Sequence, residues 1–383
     1  MPARRGGSGV LGVRVGPRVS LGAEGGRGRR AREAGRRAMN PQESSGKRRG
    51  GAKGVSRRRF LVGALGATAV GAGHSAAAQR SQANPYAYSV TAFEEVDPKW
   101  LQYREIASWN VPYAPPRRLS VGRDGTIWVG AATRLLSFDE RGRKIVDVDC
   151  GEDVVGAAEL GDGRLAVALR RAIELRERSG ERIARWDPTD KRAWFSGVAA
   201  RGERVFAADS KARIVRVFDI SGKEVGRFGG KDPARGAPGL VLPSPTLDVC
   251  WHPAGFVVVN NAGRRKVEFY TEEGRLELSW GQAGVGIERF CGCCNPVAVA
   301  AGPKGEVFTA EKGLPRVKEY DAHGELQAVV LGPKAFPKVK SSAGAPLWGD
   351  LVVRLDAATD AAGRVWVLDT AVGRVRALER KKQ

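Results

Sequence analysis

The sequence predicts an all-β fold, a six-bladed β-propeller, from three observations. A unit of four short strands separated by tight turns recurs six times. The glycines that mark the first turn of each unit are 38, 39, 53, 50 and 58 residues apart. The last unit has three strands, and a spare strand precedes the first unit. The turn glycines are Gly125, Gly163, Gly202, Gly255, Gly305 and Gly363.

The first unit shows the pattern most clearly. Asp124-Gly125 is typical of a hairpin turn, and it is followed by the apolar strand 126–129. A second apolar strand at 135–138 leads to another turn at Arg141-Gly142. β-branched and aromatic residues between Gly turns indicate short antiparallel strands.

Four later units repeat this pattern, whereas the second unit departs from it. Residues 168–171 of that unit read Ala-Leu-Arg-Arg, where Ala-Asp is expected. The clear repeats lie at 205–222, 257–270, 307–321 and 365–378.

The two ends of the repeat region are expected to pair. Residues 103–109 have the alternating pattern of a fourth strand, and the last unit ends after Leu378 without one. Pairing these segments would close the ring and remove exposed strand edges. We therefore predict a propeller over residues 103–383, closed by its N-terminal strand.

The Asp-Gly, Ala-Asp and Phe-Asp-x-x-Gly positions of these units resemble the NHL repeat family over roughly residues 103–380. The resemblance implies a toroidal scaffold whose faces bind proteins, RNA, small molecules or metals. It also implies that such a scaffold occasionally holds an active site. The fold alone does not decide among these functions.

The N-terminal region has a different composition. Residues 1–60 carry fifteen Arg and two Lys against three Glu, so residues 79–383 hold only +8 of the total charge of +22. This distribution argues against nucleic acid as a partner. We expect residues 1–55 to be a disordered basic segment, with translation starting at Met39 as the favoured interpretation.

Residues 56–78 are expected to direct export. Ser56-Arg57-Arg58-Arg59-Phe60-Leu61 resembles the twin-arginine signal, a short apolar run follows, and 76–78 form a small-residue cleavage site. The prediction is a periplasmic or other extracytoplasmic location, with residues 79–102 as a lead-in. An uncleaved signal would give a membrane anchor, the only membrane contact that we expect.

Three irregular inserts lie between units, at 229–244, 281–295 and 332–349. If strands run outward from the axis, all three fall on one face, where loops commonly carry function.

Three cysteines, Cys291, Cys293 and Cys294, occur within four residues of the second insert. Three interpretations are open. In an oxidising compartment they form a disulfide, with a strained Cys293–Cys294 ring as one form. Alternatively, the thiolates hold a soft metal ion or an iron–sulfur cluster, although the Cys-x-x-Cys spacing of such sites is absent. In the third interpretation, the thiols are buried and inert.

Glu311, Lys312 and Arg316 form a candidate ligand-binding site next to the cysteines; the simpler interpretation is a surface salt bridge. The Cys-Cys-Asn-Pro loop with Glu-Lys-Gly-x-Pro-Arg resembles a group of exported NHL-like proteins, which implies a shared site but no reaction. Oxygen ligands for Ca²⁺ are a further option. These are Asp248, Asn260, Asn261, Glu311, Asp356 and Asp369.

The leading hypothesis is an exported, non-catalytic propeller that binds a protein or a small ligand on its loop-rich face, with a structural or redox Cys loop. The rival is a metal-dependent redox or hydrolytic enzyme with its site at Cys291–Cys294. Only His252 and His323 follow the export segment, and both lie near predicted turns, which disfavours histidine-based catalysis.

Overall fold

The computed structural model describes residues 91–337 and 355–382. They form six four-stranded antiparallel sheets, which confirms the predicted all-β, six-bladed propeller. The predicted basic segment, the export signal, residues 79–90 and residues 338–349 of the third insert lie outside the described residues. Within the described part of the chain, no helix is long and apolar enough to cross a membrane.

The strands are numbered along the chain, and each blade is given from the inner to the outer strand. Blade 1 contains β2 (Pro116–Val121), β3 (Ile127–Ala131), β4 (Arg134–Phe138) and β5 (Lys144–Asp149). Blade 2 contains β6 (Val154–Glu159), β7 (Leu165–Leu169), β8 (Ile173–Arg176) and β9 (Arg182–Trp186). Blade 3 contains β10 (Phe195–Arg201), β11 (Arg204–Asp209), β12 (Ile214–Asp219) and β13 (Glu224–Phe228).

Blade 4 contains β16 (Val249–His252), β17 (Phe256–Asn261), β18 (Lys266–Tyr270) and β19 (Leu276–Trp280). Blade 5 contains β20 (Ala298–Ala301), β21 (Val307–Glu311), β22 (Arg316–Tyr320) and β23 (Leu326–Leu331). Blade 6 contains β24 (Leu355–Thr359), β25 (Val365–Asp369), β26 (Arg374–Arg380) and β1 (Tyr103–Asn110).

Short elements lie outside the blades. The first insert contains the two-residue strands β14 (Lys231–Asp232) and β15 (Ala237–Pro238), which pair with each other. The described 3₁₀ helices are Thr91–Phe93, Pro98–Trp100, Pro233–Arg235, Ala262–Arg264 and Pro333–Ala335.

The ring closes as predicted, because β1 is the outer strand of the last blade. It pairs antiparallel with β26, from Tyr103 opposite Arg380 to Asn110 opposite Arg374. Buried Glu319 of blade 5 fastens this closure, since it accepts a hydrogen bond of 3.0 Å from the Tyr103 hydroxyl and one of 2.6 Å from Arg380. The two ends of the chain's repeat region are thus held in one sheet.

The six turn glycines named above all adopt positive φ, between 56° and 93°. They lie in the turns between the first and second strands, on what we call the hairpin face. The opposite face, here the loop face, carries the connections between blades and the turns between second and third strands. The three inserts therefore start from the loop face.

At four joints, neighbouring blades are locked together by an aromatic side chain that packs on a glycine. The aromatic residue is the last or next-to-last residue of an outer strand, and the glycine lies in the third turn of the next blade. The packing is so close that a Cβ on the glycine would lie within 3.0 Å of the ring. The pairs are Trp109 on Gly142, Trp186 on Gly222, Phe228 on Gly274 and Trp280 on Gly324. Large aromatic side chains bury much apolar area at each joint.

Replacement of Gly222 by Ala tests this lock against a matched control. Gly125 has the same φ of 85°, but nothing lies within 4 Å of its Cβ position. Both substitutions should cost about 1–2 kcal/mol for the left-handed backbone. We expect Gly222→Ala to lose a further 1–3 kcal/mol or so, because its methyl group collides with Trp186. Urea unfolding measures both, and equal losses would contradict the lock.

Candidate functional site

A layer of charged and small residues crosses the propeller axis. Each blade contributes one residue, at or just before its innermost strand. In every blade this residue lies opposite the next-to-last residue of the blade's second strand. Three of the six are glycine or alanine, which leaves room on the axis for the longer three. The layer contains Arg118, Gly156, Gly197, Asp248, Ala298 and Asp356.

Arg118 reaches from blade 1 across the axis to two carboxylates. Its Nη1 lies 2.8 Å from Asp356 Oδ1 and 2.9 Å from Asp248 Oδ2, and its Nε donates to the Ser196 carbonyl at 2.9 Å. A Cβ at Gly156 would lie 2.9 Å from Arg118 Cβ, so the absence of a side chain at Gly156 leaves room for the arginine. The side chain therefore divides the central tunnel into two cavities.

Each carboxylate of this layer also joins its own blade to the next one. Asp356 Oδ2 accepts a hydrogen bond from Leu119 N at 2.7 Å, and Asp248 Oδ2 accepts one from Val299 N at 2.9 Å. Burial and, to a smaller extent, the charge of Asp356 raise the pKa of Asp248 to about 7, against the opposing effect of Arg118. Burial also raises the pKa of Asp356.

The cavity on the loop face, which we call the axial cup, has a volume of about 320 Å³. Residues from all six blades line it, and Arg118 forms part of its lining. Among the described residues that line the cup, the charged ones are all arginine. The lining comprises Pro115, Pro116, Arg117, Arg118, Val155, Arg170, Ser196, Pro245, Thr246, Val297, Leu355 and Thr370.

The two outer arginines of the cup are positioned by neighbouring groups. Arg117 Nη2 donates to Asp153 at 2.7 Å, while its Nε is buried without a hydrogen-bond partner. Arg170 Nη1 donates to the Phe195 carbonyl at 2.8 Å, and its guanidinium lies 5.0 Å from the ring of Trp194. Arg170 belongs to the second unit, at the position where the repeat pattern departs from Ala-Asp.

The cysteine loop lies beside the cup on the same face. Ser244 Oγ is 3.4 Å from Lys312 Nζ, and the Ser244 hydroxyl hydrogen-bonds to the Cys294 thiol. Ser244 directly precedes Pro245 of the cup wall, and Val297 of that wall follows the loop three residues after Cys294. The loop therefore forms part of the rim of the cup.

The structure separates the three cysteines of this loop into a pair and a single residue. The Cys293 and Cys294 sulfurs are 3.1 Å apart, with Cys293 exposed and Cys294 buried. Cys291 is buried, and its backbone N–H donates to Glu311 Oε2 at 3.3 Å. In the described residues, no three His, Cys, Asp or Glu side chains form a group that could hold a metal ion. The arrangement fits a dithiol pair and not a three-thiolate metal site.

Three buried charges, which we call the clamp, hold the second insert. Glu311, Arg316 and Lys318 are at most 1% exposed. Glu311 Oε2 accepts from Arg316 Nη2 at 2.7 Å, and Glu311 Oε1 lies 2.7 Å from Lys318 Nζ in an ion pair without hydrogen-bond alignment. Burial and, to a smaller extent, the charge of Arg316 lower the pKa of Lys318 to about 8, and Glu311 opposes this shift.

The clamp cations bind the main chain of the insert. Arg316 donates to the carbonyls of Val285, Gly286 and Arg289, at 3.3, 3.2 and 3.0 Å. Lys318 donates to the carbonyls of Ile287 and Arg289, both at 2.9 Å. These bonds satisfy carbonyl groups of an irregular segment, and they fix the loop that carries the cysteines.

The predicted site residues Glu311, Lys312 and Arg316 are thus brought together with Cys291, as the sequence suggested. All three are buried, so the expectation of a surface salt bridge is wrong. Lys312 is tied to Asn295, which donates from its side chain to the Lys312 carbonyl at 2.8 Å. These residues support the loop that carries the cysteines.

The candidate oxygen ligands do not form one calcium site. Asp248 and Asp356 meet on the axis around Arg118, whose guanidinium takes the place that a cation would need. Asn260 is used in backbone bonds, accepting from Asp248 N at 2.6 Å and donating to the Pro296 carbonyl at 2.8 Å. Asn261 donates to Glu268 at 2.8 Å. Asp369 accepts from Ala371 N in a turn.

Comparison with known proteins finds similar solved structures. No protein-family model and no curated protein matches the sequence. A solved protein of unknown function from Bacteroides thetaiotaomicron is similar, at 16% identity and a TM-score of 0.50 over 72% of this chain and 76% of that one. A streptogramin B lyase is similar at 12% identity and a TM-score of 0.49, over 74% of this chain and 99% of that one. A virginiamycin B lyase from Staphylococcus aureus is similar at 10% identity and a TM-score of 0.48, over 72% of this chain and 99% of that one.

At these identities the likenesses concern the fold alone. The six four-stranded sheets define the class of this protein as a six-bladed β-propeller. Its distinguishing features are an arginine-lined cup on the axis and a clamped cysteine loop at the rim of that cup.

Proposed function

We propose that this protein is an exported, non-catalytic β-propeller that binds a small organic anion in the axial cup. The observation that carries the proposal is the set of guanidinium groups that line the cup, those of Arg117, Arg118 and Arg170. Their carboxylate partners, Asp153, Asp248 and Asp356, are not part of the lining. Guanidinium groups recognise carboxylate and phosphate through paired hydrogen bonds. An anion held between them would be shielded from water by the surrounding blades.

The remaining lining favours an anion with an apolar body. Proline, valine and leucine side chains form much of the wall, and a volume of about 320 Å³ accommodates a molecule rather than an ion alone. The floor is closed by the Arg118 layer, so a ligand would enter from the loop face. An aromatic or aliphatic carboxylate matches both properties, and so does the free C-terminus of a peptide.

The non-catalytic part of the proposal is supported by where the reactive groups lie. His252, the last residue of β16, and His323, in a turn, both lie on the hairpin face, away from the cup. The His252 Nε2 is 3.0 Å from the Gly305 carbonyl. Glu311 is enclosed in the clamp. Export is supported by the Ser-Arg-Arg-x-Phe-Leu pattern at 56–61 and the small residues at 76–78.

Calorimetric titration with benzoate and with benzamide, its neutral analogue, tests the anion site. We expect benzoate to bind with a Kd in or below the millimolar range and benzamide to show no heat. Arg170→Gln should weaken benzoate binding by about tenfold or more, because a charged hydrogen bond contributes about 1.5–3 kcal/mol. Arg123→Gln is the control, since Arg123 lies on the hairpin face and pairs with Glu159.

Equal binding of benzoate and benzamide, or binding that Arg170→Gln leaves unchanged, would overturn the proposal. A peptide with a free C-terminus, compared with its amidated form, separates a chain end from a small metabolite as the natural source of the carboxylate.

The second candidate function is the metal-dependent redox or hydrolytic enzyme at the cysteine loop. The contact between Cys293 and Cys294 favours it, because two neighbouring thiols are soft ligands. The missing third ligand among the described residues disfavours it. Metal analysis of the exported protein, with turnover assays on any loaded fraction, distinguishes the two functions.

A further inference from the structure

We propose that Cys293 and Cys294 are a redox modification site, which exchanges with a small-molecule disulfide to form a reversible ring between neighbouring residues. The proposal does not depend on what the cup binds. It rests on three features of the loop: the contact between the two sulfurs, their unequal exposure, and the support that holds the loop without them.

The two thiols have different access to solvent, as sequential exchange requires. Cys293 is exposed and can meet a disulfide in solution, whereas Cys294 is 5% exposed and 3.1 Å from the Cys293 sulfur. Cys293 is therefore the attacking thiol and Cys294 the resolving one. Burial raises the pKa of the Cys294 thiol, and the ammonium group of Lys312 opposes that rise.

The loop keeps its shape through main-chain and side-chain contacts that do not involve these two sulfurs. Asn295 donates to the carbonyls of Cys291 and Lys312 at 2.6 and 2.8 Å, and its side-chain oxygen accepts from Lys312 N at 2.8 Å. The clamp binds the residues before Cys291. A structural disulfide staple is therefore unnecessary here, and a bond between the two sulfurs can form and break while the loop stays in place.

The chemistry balances with a disulfide such as oxidised glutathione as oxidant. The Cys293 thiolate attacks one sulfur, forming a mixed disulfide and releasing one glutathione thiolate. Cys294 then attacks the Cys293 sulfur, forming the ring and releasing the second glutathione thiolate. Two protein thiols are oxidised, one disulfide is reduced to two thiols, and the two thiol protons end on glutathione.

Covalent geometry indicates that the ring is easily reduced. Neighbouring Cα atoms are about 3.8 Å apart across a trans peptide, below the usual separation of about 4.4–6.8 Å in disulfides. Strained and exposed disulfides are the labile ones, which suits a reversible site better than a permanent crosslink.

Mass spectrometry of the full chain, equilibrated in glutathione buffers and then digested, tests the site. We expect the wild-type protein to lose two hydrogens in the 293–294 peptide without an accumulated glutathione adduct. Cys294→Ser should instead retain one glutathione on Cys293, because the resolving thiol is absent. Cys291→Ser should behave as wild type, as should Cys150→Ser, whose cysteine lies in another blade connection.

Two results would overturn the proposal. One is a wild-type protein that keeps glutathione on Cys293 to the same extent as Cys294→Ser. The other is oxidation that joins Cys291, Cys150 or Cys250 to either thiol. Phenylarsine oxide, which binds paired thiols, gives a readout on folded protein: wild type should bind it at least tenfold more tightly than Cys293→Ser, and equal binding would contradict the pairing.

Discussion

Arg118→Ala is expected to lower the free energy of unfolding by about 3–5 kcal/mol at neutral pH, because it removes one partner of a buried ion cluster. Asp248 and Asp356 are then left on the axis without the guanidinium that lies 2.9 and 2.8 Å from them. The same arginine bonds to blades 3, 4 and 6 from blade 1, so its loss also removes contacts across the ring.

The loss should depend on pH in a defined direction. In the wild-type protein the pKa of Asp248 is raised from 3.8 to about 7, so the folded state binds its proton more tightly than the unfolded state. Stability therefore falls as pH rises from about 4 to 7. Without Arg118 both carboxyl pKa values rise further, so this fall becomes larger and extends to higher pH. The variant is expected to be closest to wild type near pH 4 and furthest from it above pH 7.

Urea unfolding at pH 4.5 and pH 7.5 measures this difference. The triple variant Arg118→Ala, Asp248→Asn, Asp356→Asn should recover stability at pH 7.5 relative to the single one, since no buried charge remains. Arg123→Ala, which removes an exposed arginine, is the control and should change stability by under about 1 kcal/mol. A loss for Arg118→Ala that is independent of pH would show that packing, not the buried charges, makes this residue important.

The sequence predicted the blades and the ring closure well, because both depend on local patterns. Strands with alternating apolar residues and turns with glycine repeat in the units. The spare strand at 103–109 could complete only the last unit, which lacked a fourth strand. The axial layer was not predictable in this way. Arg118 meets Asp356 across a separation of 238 residues, and its neighbours Gly156 and Gly197 resemble ordinary strand residues in a single sequence. Only alignment of the six units by register places them in one layer.

The cysteine loop was predicted in part for a similar reason. That Cys291 and Glu311 lie close together follows from their positions before and after β20 in the chain. That the charged residues around them are buried does not follow from their residue types. A run containing Glu311, Lys312, Arg316 and Lys318 is typical of a solvated surface. In the structure the second insert covers these residues, and its backbone carbonyls accept hydrogen bonds from Arg316 and Lys318. Blade 3 holds a signal that would have helped: Asp209 and Arg216 form a buried pair of 2.9 Å at the positions of Glu311 and Lys318.

Glu311→Gln should cost about 3–5 kcal/mol as well, but with the opposite dependence on pH. The substitution leaves the charges of Arg316 and Lys318 buried together, with no anion between them. The pKa of Lys318, already lowered to about 8 from 10.5, would fall further, since Glu311 is what opposes that shift. A lysine whose folded-state pKa is depressed destabilises the folded protein by an amount that grows as pH falls from the unfolded pKa to the folded one, and the stability returns as pH rises toward the unfolded value.

The variant should therefore be weakest near pH 6 and recover toward pH 9.5, whereas Arg118→Ala recovers toward acid. Adding Lys318→Met to Glu311→Gln should restore stability at pH 6, because one uncompensated cation is removed. Glu325→Gln, at an exposed residue of the same blade, is the matched control. Since the clamp holds the insert, Glu311→Gln should also speed alkylation of buried Cys294 relative to that control. Unchanged alkylation with lost stability would mean that the clamp stabilises blade 5 without fixing the cysteine loop.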